Sequence, residues 1–372
     1  MRTAPQIASA PATPVAATPL AEFLAAGNAA LPMASYRGAL TPNLFSDATR
    51  ELTALTTSVG IYDLGYLASL WVSGNDRIRW LNGMVTNTVQ SLEEGHWNYS
   101  FLLNAQGRIL GDATVYRFAD HLLLQADRNQ IGHLAAHLDH FIIMDDVELQ
   151  ELDVATTVLG IAGPRSEEIL GGLGLRVPGE NEFAQSHFKG VEVTIVHAHS
   201  PVIPQFEFWV PTALLPSTWP ALTAAGAVQC GVEAIEALRI FSGIPLYGRD
   251  IQERHLAQET AQARALNFNK GCYLGQEIVE RIRSRATIHR MLRQFSLTGD
   301  VPDLQPGQTL ALNAEQAERN PVGELTSVAH VQLPAFGGTV ALGLVRTEVL
   351  ERKLPLTYSA GTATPLDAPP PI

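Results

Sequence analysis

The residues best equipped for chemistry lie in Lys270–Glu277, KGCYLGQE, where Gly271 and Gly275 flank a Cys-Tyr-Leu core and a predicted helix, GQEIVERIRS, follows. The glycines permit tight turns and close approach of a partner backbone. Cys272 lies near the start of that helix and two residues from Lys270, and both features favour the thiolate, the nucleophilic and metal-binding form of cysteine. Arg281, Arg283 and Arg285 add positive charge on the helix that also carries Gln276 and Glu277. Taken alone, the segment reads equally as a half-buried cysteine in a glycine turn, with Tyr273 beside it. A second signal is Asp112, thirteen residues after Tyr99 and inside the apolar run ILGDATV. Burying a lone carboxylate is costly unless it is paired, so an aspartate there points to a site. Glu207, between two aromatics in FEFWV, reads by itself as an outward-facing strand residue. Arg239, in a predicted helix, reads by itself as a helix-surface or ion-paired arginine.

The elements that must position these groups follow from periodicity. ASLWVSG (68–74) reads as a strand, and Ser73 with Asp76 as a capping-box signature opening a helix that runs to about Gly83. YSFLLN, ILGDATVYRF and HLLLQA read as antiparallel strands, with NAQG as the turn between the first two. Ile131, Leu134, Leu138 and Phe141 recur at helical spacing, and VELQELD returns to a strand pattern. A similar order restarts at TTVLGIAG (156–163), with PRSEEILGGL, VEVTIVHA, FEFWV and helices near 215–225 and 231–242. From about residue 287, short Gly- and Pro-punctuated runs (FSLTG, TLALNA, GELTSVAHV, GTVALGLVRTEV) predict a small β-barrel or sandwich. The expected division is a mobile extension over 1–36, an α+β unit over 37–153, a second over 154–286, a β-barrel over 287–360 and a loose tail over 361–372.

Composition narrows the functional classes. The chain has 372 residues, 46% of them hydrophobic, and a net charge of -12, so no global basic field would draw it to nucleic acid or an anionic bilayer. No stretch approaches the ~20 consecutive apolar residues of a membrane helix. Two cysteines, Cys230 and Cys272, suit a reducing compartment, and the cytoplasm is the expected location. They also cannot supply the roughly four cysteine-type ligands of an iron-sulfur cluster from one chain. Three of the eleven histidines, His133, His137 and His140, fall at helical spacing without an acid or cysteine to complete a metal set, and read as a solvated helix face. No phosphate-cradling glycine loop is present.

KGCYLGQE resembles the signature of the YgfZ-type folate-binding proteins, which take part in maturation or repair of certain iron-sulfur enzymes. The preceding QET resembles the same family, with Ala261 where a glycine is usual. The wider likeness, from about 59 to 350, is to the glycine cleavage T-protein (aminomethyltransferase) superfamily. VGIYDLGYLASLWVSGNDRIRWLNGMVTN is similar to its entry segment, YSFLLNAQGRILGDATVYR to its first folate-facing hairpin, and LRIFSGIPLYGRDI to its arginine helix. The resemblance implies two tandem ferredoxin-like α+β units around a tetrahydrofolate cleft and a C-terminal β-barrel completing a three-part ring. It implies that Tyr99 and Asp112 contact the folate ring and reactive nitrogens, that Glu207 accepts from the pteridine edge, and that Arg239 meets the glutamate tail. It further implies that Cys272 and Lys270 are functional and that iron-sulfur clients or assembly proteins are partners. The transferases usually carry two consecutive aspartates where this chain has Gly111 and Asp112, and a Gly-Tyr-Thr-Gly-rich approach where it has HSPVIPQFE. The alternatives implied are an aminomethyltransferase and a non-catalytic scaffold on the same fold.

Overall fold

Alternating burial along the predicted strands becomes three sheets of five or six strands, beside a two-stranded hairpin, Met33–Tyr36 with Ala39–Pro42. The computed structural model describes residues 15–152, 155–285, 288–299, 304–312 and 320–372. The first sheet is antiparallel and runs in the order Trp97–Leu103, Ile109–Arg117, Leu122–Asp127, Leu67–Ser73, Glu148–Glu151. Helix Arg128–Asp139 buries Ile131, Leu134 and Leu138 on one face of it, as the spacing predicts. Helix Arg77–Asn82 follows Leu67–Ser73, but Asp76 makes no side-chain cap. Its carboxylate instead accepts the Asp146 N–H at 3.0 Å, because the turn before Glu148–Glu151 lies against that helix end.

The second sheet is ordered Phe183–Phe188, Val191–His197, Gln205–Pro211, Thr156–Ala162, Gly60–Asp63, Val228–Gln229. Gly60–Asp63, expected in the first unit, is thus a strand of the second sheet, paired antiparallel with Thr156–Ala162 in the register Ile61↔Ile161. All four of its residues are buried, so it gains apolar cover that its own sequence neighbours do not offer. The unit boundaries expected at 153/154 and 286/287 lie outside the described residues.

At the chain ends, it is the expectation of a loose C-terminal tail that is corrected. Residues 1–14 lie outside the described residues, but helix Pro19–Gly27 follows, capped by Thr18, and Leu20 is buried in the second core. At the other end, Gly361–Leu366 pairs with Arg290–Gly299, and Ile372 packs against the core between the sheets. The C-terminal sheet is ordered Thr309–Leu310, Gly323–Gln332, Gly337–Arg346, Arg290–Gly299, Gly361–Leu366, Leu356–Tyr358. Ala311 and Thr357 bridge its two edges with bonds of 2.9 and 2.8 Å, giving a near-closed antiparallel barrel.

Candidate functional site

Between the first two sheets and helix Val232–Phe241 lies a cavity of about 220 Å³ that brings together Tyr99, Asp112, Glu207 and Arg239. Tyr99 and Asp112 share a face because Tyr99 pairs with Thr114 and Phe101 with Asp112, so strand alternation turns all four the same way. The Tyr99 hydroxyl donates to Asp112 Oδ2 at 2.6 Å. Gln130 Nε2 donates to Asp112 Oδ1 at 3.0 Å, and the Asp112 N–H donates to Gln130 Oε1 at 3.2 Å. Gly111 favours this pairing: a Cβ there would lie 2.8 Å from both Gln130 Oε1 and a Leu134 methyl, so a second aspartate would push those side-chain ends aside.

Sequence reasoning missed the rest of this wall. Arg37 lies 3.3 Å from Asp127 and faces the Tyr36 and Tyr66 rings at 5.6 and 5.3 Å. Burial pushes Asp127 up to about 6 despite the Arg37 guanidinium, and the charge of Asp112 adds to the rise. The Arg264 guanidinium covers the Tyr99 ring at 4.1 Å, and burial lowers its pKa. The one sequence signal for Asp127 and Gln130 is polarity at the end of an apolar strand; Arg264 and Arg37 carry none.

Glu207 faces inward rather than outward. Its strand is central, paired through Glu207↔Gly160 and Glu207↔Val196. Tyr62 crosses over Gly160, where a Cβ would fall 2.0 Å from the ring, and its hydroxyl accepts from Gln205 Nε2 at 2.6 Å. Glu207 Oε2 accepts from Trp209 Nε1 at 2.7 Å and Tyr116 at 3.4 Å. Among the described residues Oε1 has no hydrogen-bond donor, although it is not among the sealed, unpartnered atoms, so it opens on the cavity. Enclosure by protein raises the Glu207 pKa to about 7, the Trp209 and Tyr116 hydrogen bonds opposing the rise.

Arg239 corrects the expectation of a tail-binding residue. It is 7% exposed, and all five of its N–H groups are taken. Nε and Nη2 hold Glu236 at 2.9 and 2.6 Å, Nη2 also reaches Ser327 Oγ at 2.9 Å, and Nη1 donates to Asp250 and the Ile244 carbonyl at 2.7 and 2.6 Å. Burial opposes its charge, yet Glu236 and then Asp250 push its pKa above the usual arginine range. This arginine binds helix Val232–Phe241 to the barrel. The guanidiniums left for an anion are those of Arg264 and Arg293, both on an adjoining cavity of about 370 Å³ that shares His199, Ser242, Ile244 and Arg264 with the first.

The KGCYLGQE segment does not line the main cavity. Lys270 Nζ donates to the carbonyls of Asn82, Val85 and Asn87 at 2.6, 2.6 and 2.7 Å. Burial pushes its ammonium down to about 7, while three acceptors that cannot donate hold it in the charged form. These bonds occupy its three protons, so none is left to hydrogen-bond Cys272. Gly275, at φ +83, sits where a Cβ would be 2.7 Å from the Asn104 carbonyl, and Ile278 covers Gly107. Tyr273 is buried with Phe101, Leu103 and Val279, and its N–H donates to Gln276 Oε1 at 3.3 Å. The segment is thereby clamped onto the hairpin that carries Asp112, with Gly271, Cys272 and Glu277 exposed. The helix begins at Gln276, four residues past Cys272, and no described residue hydrogen-bonds that thiol. Cys230 is buried, which raises its thiol pKa. His137 and His140 contact Phe141 edge-on.

The architecture has known relatives. The GCVT N-terminal domain family model matches residues 20–270. The aminomethyltransferase of Exiguobacterium sibiricum is 28% identical over 326 residues, covering 85% of this chain and 86% of that protein. That of Thermotoga maritima is 25% identical, covering 85% and 86%. In fold, the chain is similar to the crystal structure of glycine cleavage system aminomethyltransferase T from Bartonella henselae, with a TM-score of 0.82, 20% identity and coverage of 95% and 96%. With its α+β sheets, near-closed barrel and a match over more than half its length, the chain belongs to the GCVT N-terminal domain family.

Proposed function

We propose that the cavity binds tetrahydrofolate and that the protein supports maturation or repair of iron-sulfur enzymes, presenting the Cys272 thiol to a client or assembly protein. The observation that carries the binding step is Glu207, an enclosed carboxylate with Oε1 open to the cavity. The aminopyrimidinone edge of a pterin offers adjacent N–H donors that such a carboxylate accepts as charge-assisted bonds. Tyr99 gives a ring face nearby, and Arg264 and Arg293 suit the anionic tail in the adjoining cavity, replacing Arg239 in that role. Tetrahydrofolate, when bound, would supply nitrogens that carry a one-carbon unit; Asp112, held by Tyr99 and Gln130, would take or give a proton at Oδ1 or Oδ2. The exposure of Cys272 away from the cavity favours intermolecular chemistry over a direct role at the folate.

Anaerobic calorimetry with tetrahydrofolate tests the first step: saturable binding is expected, lost in Glu207→Ala. Absence of binding by the unaltered protein would leave the non-catalytic scaffold as the reading. In cells lacking the protein, Cys272→Ala is expected not to restore iron-sulfur enzyme activity, and full restoration would remove the thiol from the proposal.

The second reading is an aminomethyltransferase, favoured by the Tyr99–Asp112 pair and by relatives of that name. It expects methylene-tetrahydrofolate to form from an aminomethylated carrier protein, with ammonia released and Asp112→Asn inactive.

A further inference from the structure

A cavity of about 520 Å³ lies on the other side of the Arg239 network, between the loop Gly248–His255 and the barrel, and shares no described lining residue with the main cavity. On a chain of net charge -12 its lining is basic: Arg249, Arg254, Arg290, Arg346 and His255, with Glu324 as the one acid among the described lining residues. Arg249 is paired with Glu236, and Arg290 stands 3.6 Å from Glu259. Among the described residues no acid lies within ion-pair distance of Arg254 or Arg346. The two come from different elements, the loop after Ile251 and the end of strand Gly337–Arg346, so the tertiary fold converges them on one space.

His255 supplies an independent sign. It is 2% exposed, and its Nδ1 accepts the Gln252 N–H at 3.1 Å. That bond leaves the proton on Nε2, and Nε2 is sealed from solvent with no partner among the described residues. Burial, then the charges of Arg254, Arg290 and Arg108, push the imidazole down to about 4, so it is a neutral donor at pH 7. An unfilled buried donor is costly, and here it adjoins guanidiniums without acids.

We propose that this cavity is a second ligand site, distinct from the folate cavity, that takes a small phosphate-bearing molecule. Arginine forks from several elements match an oxyanion with three or more acceptor oxygens and multiple charge, which phosphate offers and a single carboxylate does not. Arg254 and Arg346 bind the oxyanion directly, and the His255 ring lines the space beside them.

Inorganic pyrophosphate is the probe, titrated calorimetrically into the full-length protein in low-chloride buffer at pH 7.5. Saturable binding is expected, weakened at least tenfold in Arg254→Gln/Arg346→Gln and retained in Arg264→Gln, which removes a cation of the folate cavity instead. Both arginines are exposed, so the double variant should keep the circular dichroism spectrum of the parent. A ring N–H resonance of His255 that moves on saturation, in the parent but not the double variant, gives a second readout. No saturable binding by the parent, equal affinity in the double variant, or loss of binding in Arg264→Gln would each overturn the assignment. The last outcome would place pyrophosphate in the folate cavity instead.

Discussion

The main cavity and the KGCYLGQE segment both pack against one hairpin, Trp97–Arg117, yet they treat their polar groups in contrary ways. In the cavity, Glu207 and Asp127 are enclosed without full compensation, and both titrate well above ordinary carboxylates. In the segment, Lys270 is enclosed with every proton bonded, and no described residue hydrogen-bonds Cys272. Incomplete compensation is what a ligand can complete, whereas a saturated lysine is a structural clamp. Two letters of one motif therefore stand differently: Lys270 holds the turn, and the Cys272 thiol is exposed with no partner among the described residues.

The strongest way to break this comparison is Lys270→Met. Three carbonyls lose their donor, and a loss of about 3–4 kcal/mol is expected from charge-assisted bonds of this kind, read as a lower denaturant midpoint. A loss below about 1 kcal/mol would mean that the lysine is not the clamp.

Glu207→Gln tests the cavity from the opposite direction. A carboxylate whose folded pKa is raised holds its proton longer in the native state, so its contribution is fully present below the unfolded pKa and is lost as pH rises through about 7. The amide should therefore stabilise the protein by about 2 kcal/mol at pH 8, with the gain vanishing near pH 4. The same carboxylate should make tetrahydrofolate affinity fall as pH drops below 7. Stability curves that run parallel across pH 4–8 would contradict the enclosed carboxylate.

A smaller effect is expected at Ala261, which takes the place of the glycine usual after QET and sits at φ +57 in the left-handed region. Ala261→Gly should relieve strain of about 1–2 kcal/mol while adding unfolded-state entropy, a net gain of about 0.5 kcal/mol in thermal unfolding. Smallest of all is Cys272→Ala, for which stability should stay within about 0.5 kcal/mol of the parent. A larger loss would show that the thiol packs against the protein rather than facing outward.

Much of this was legible because it is local. Period-2 alternation in YSFLLN and ILGDATVYR predicts the hairpin, and an aspartate inside the second strand marks the cavity wall. The 3.6-residue spacing of Ile131, Leu134 and Leu138 predicts the covering helix. Arg239 shows where such reading stops: its residue type announces a cation, but whether any N–H remains for a ligand depends on Ser327, 88 residues away. Gly60–Asp63 crosses to the second sheet for a similar reason, since its partner Thr156–Ala162 lies far along the chain. Gly361–Leu366 was hidden by a Pro-rich end whose composition resembles a linker.

By itself the sequence determined the strand and helix pattern, the barrel-like character of the C-terminal region, and the residue types at Tyr99, Asp112, Glu207 and Cys272. These rest on periodicity and polarity among near neighbours. Only the tertiary structure decided which donors and acceptors are already satisfied: Glu207 open to a cavity, Arg239 saturated, Lys270 clamped on three carbonyls, and Arg254 and Arg346 converging with no acid among the described residues to pair them. Hydrogen-bond capacity is local to a residue, but its occupancy depends on groups brought together from distant parts of the chain.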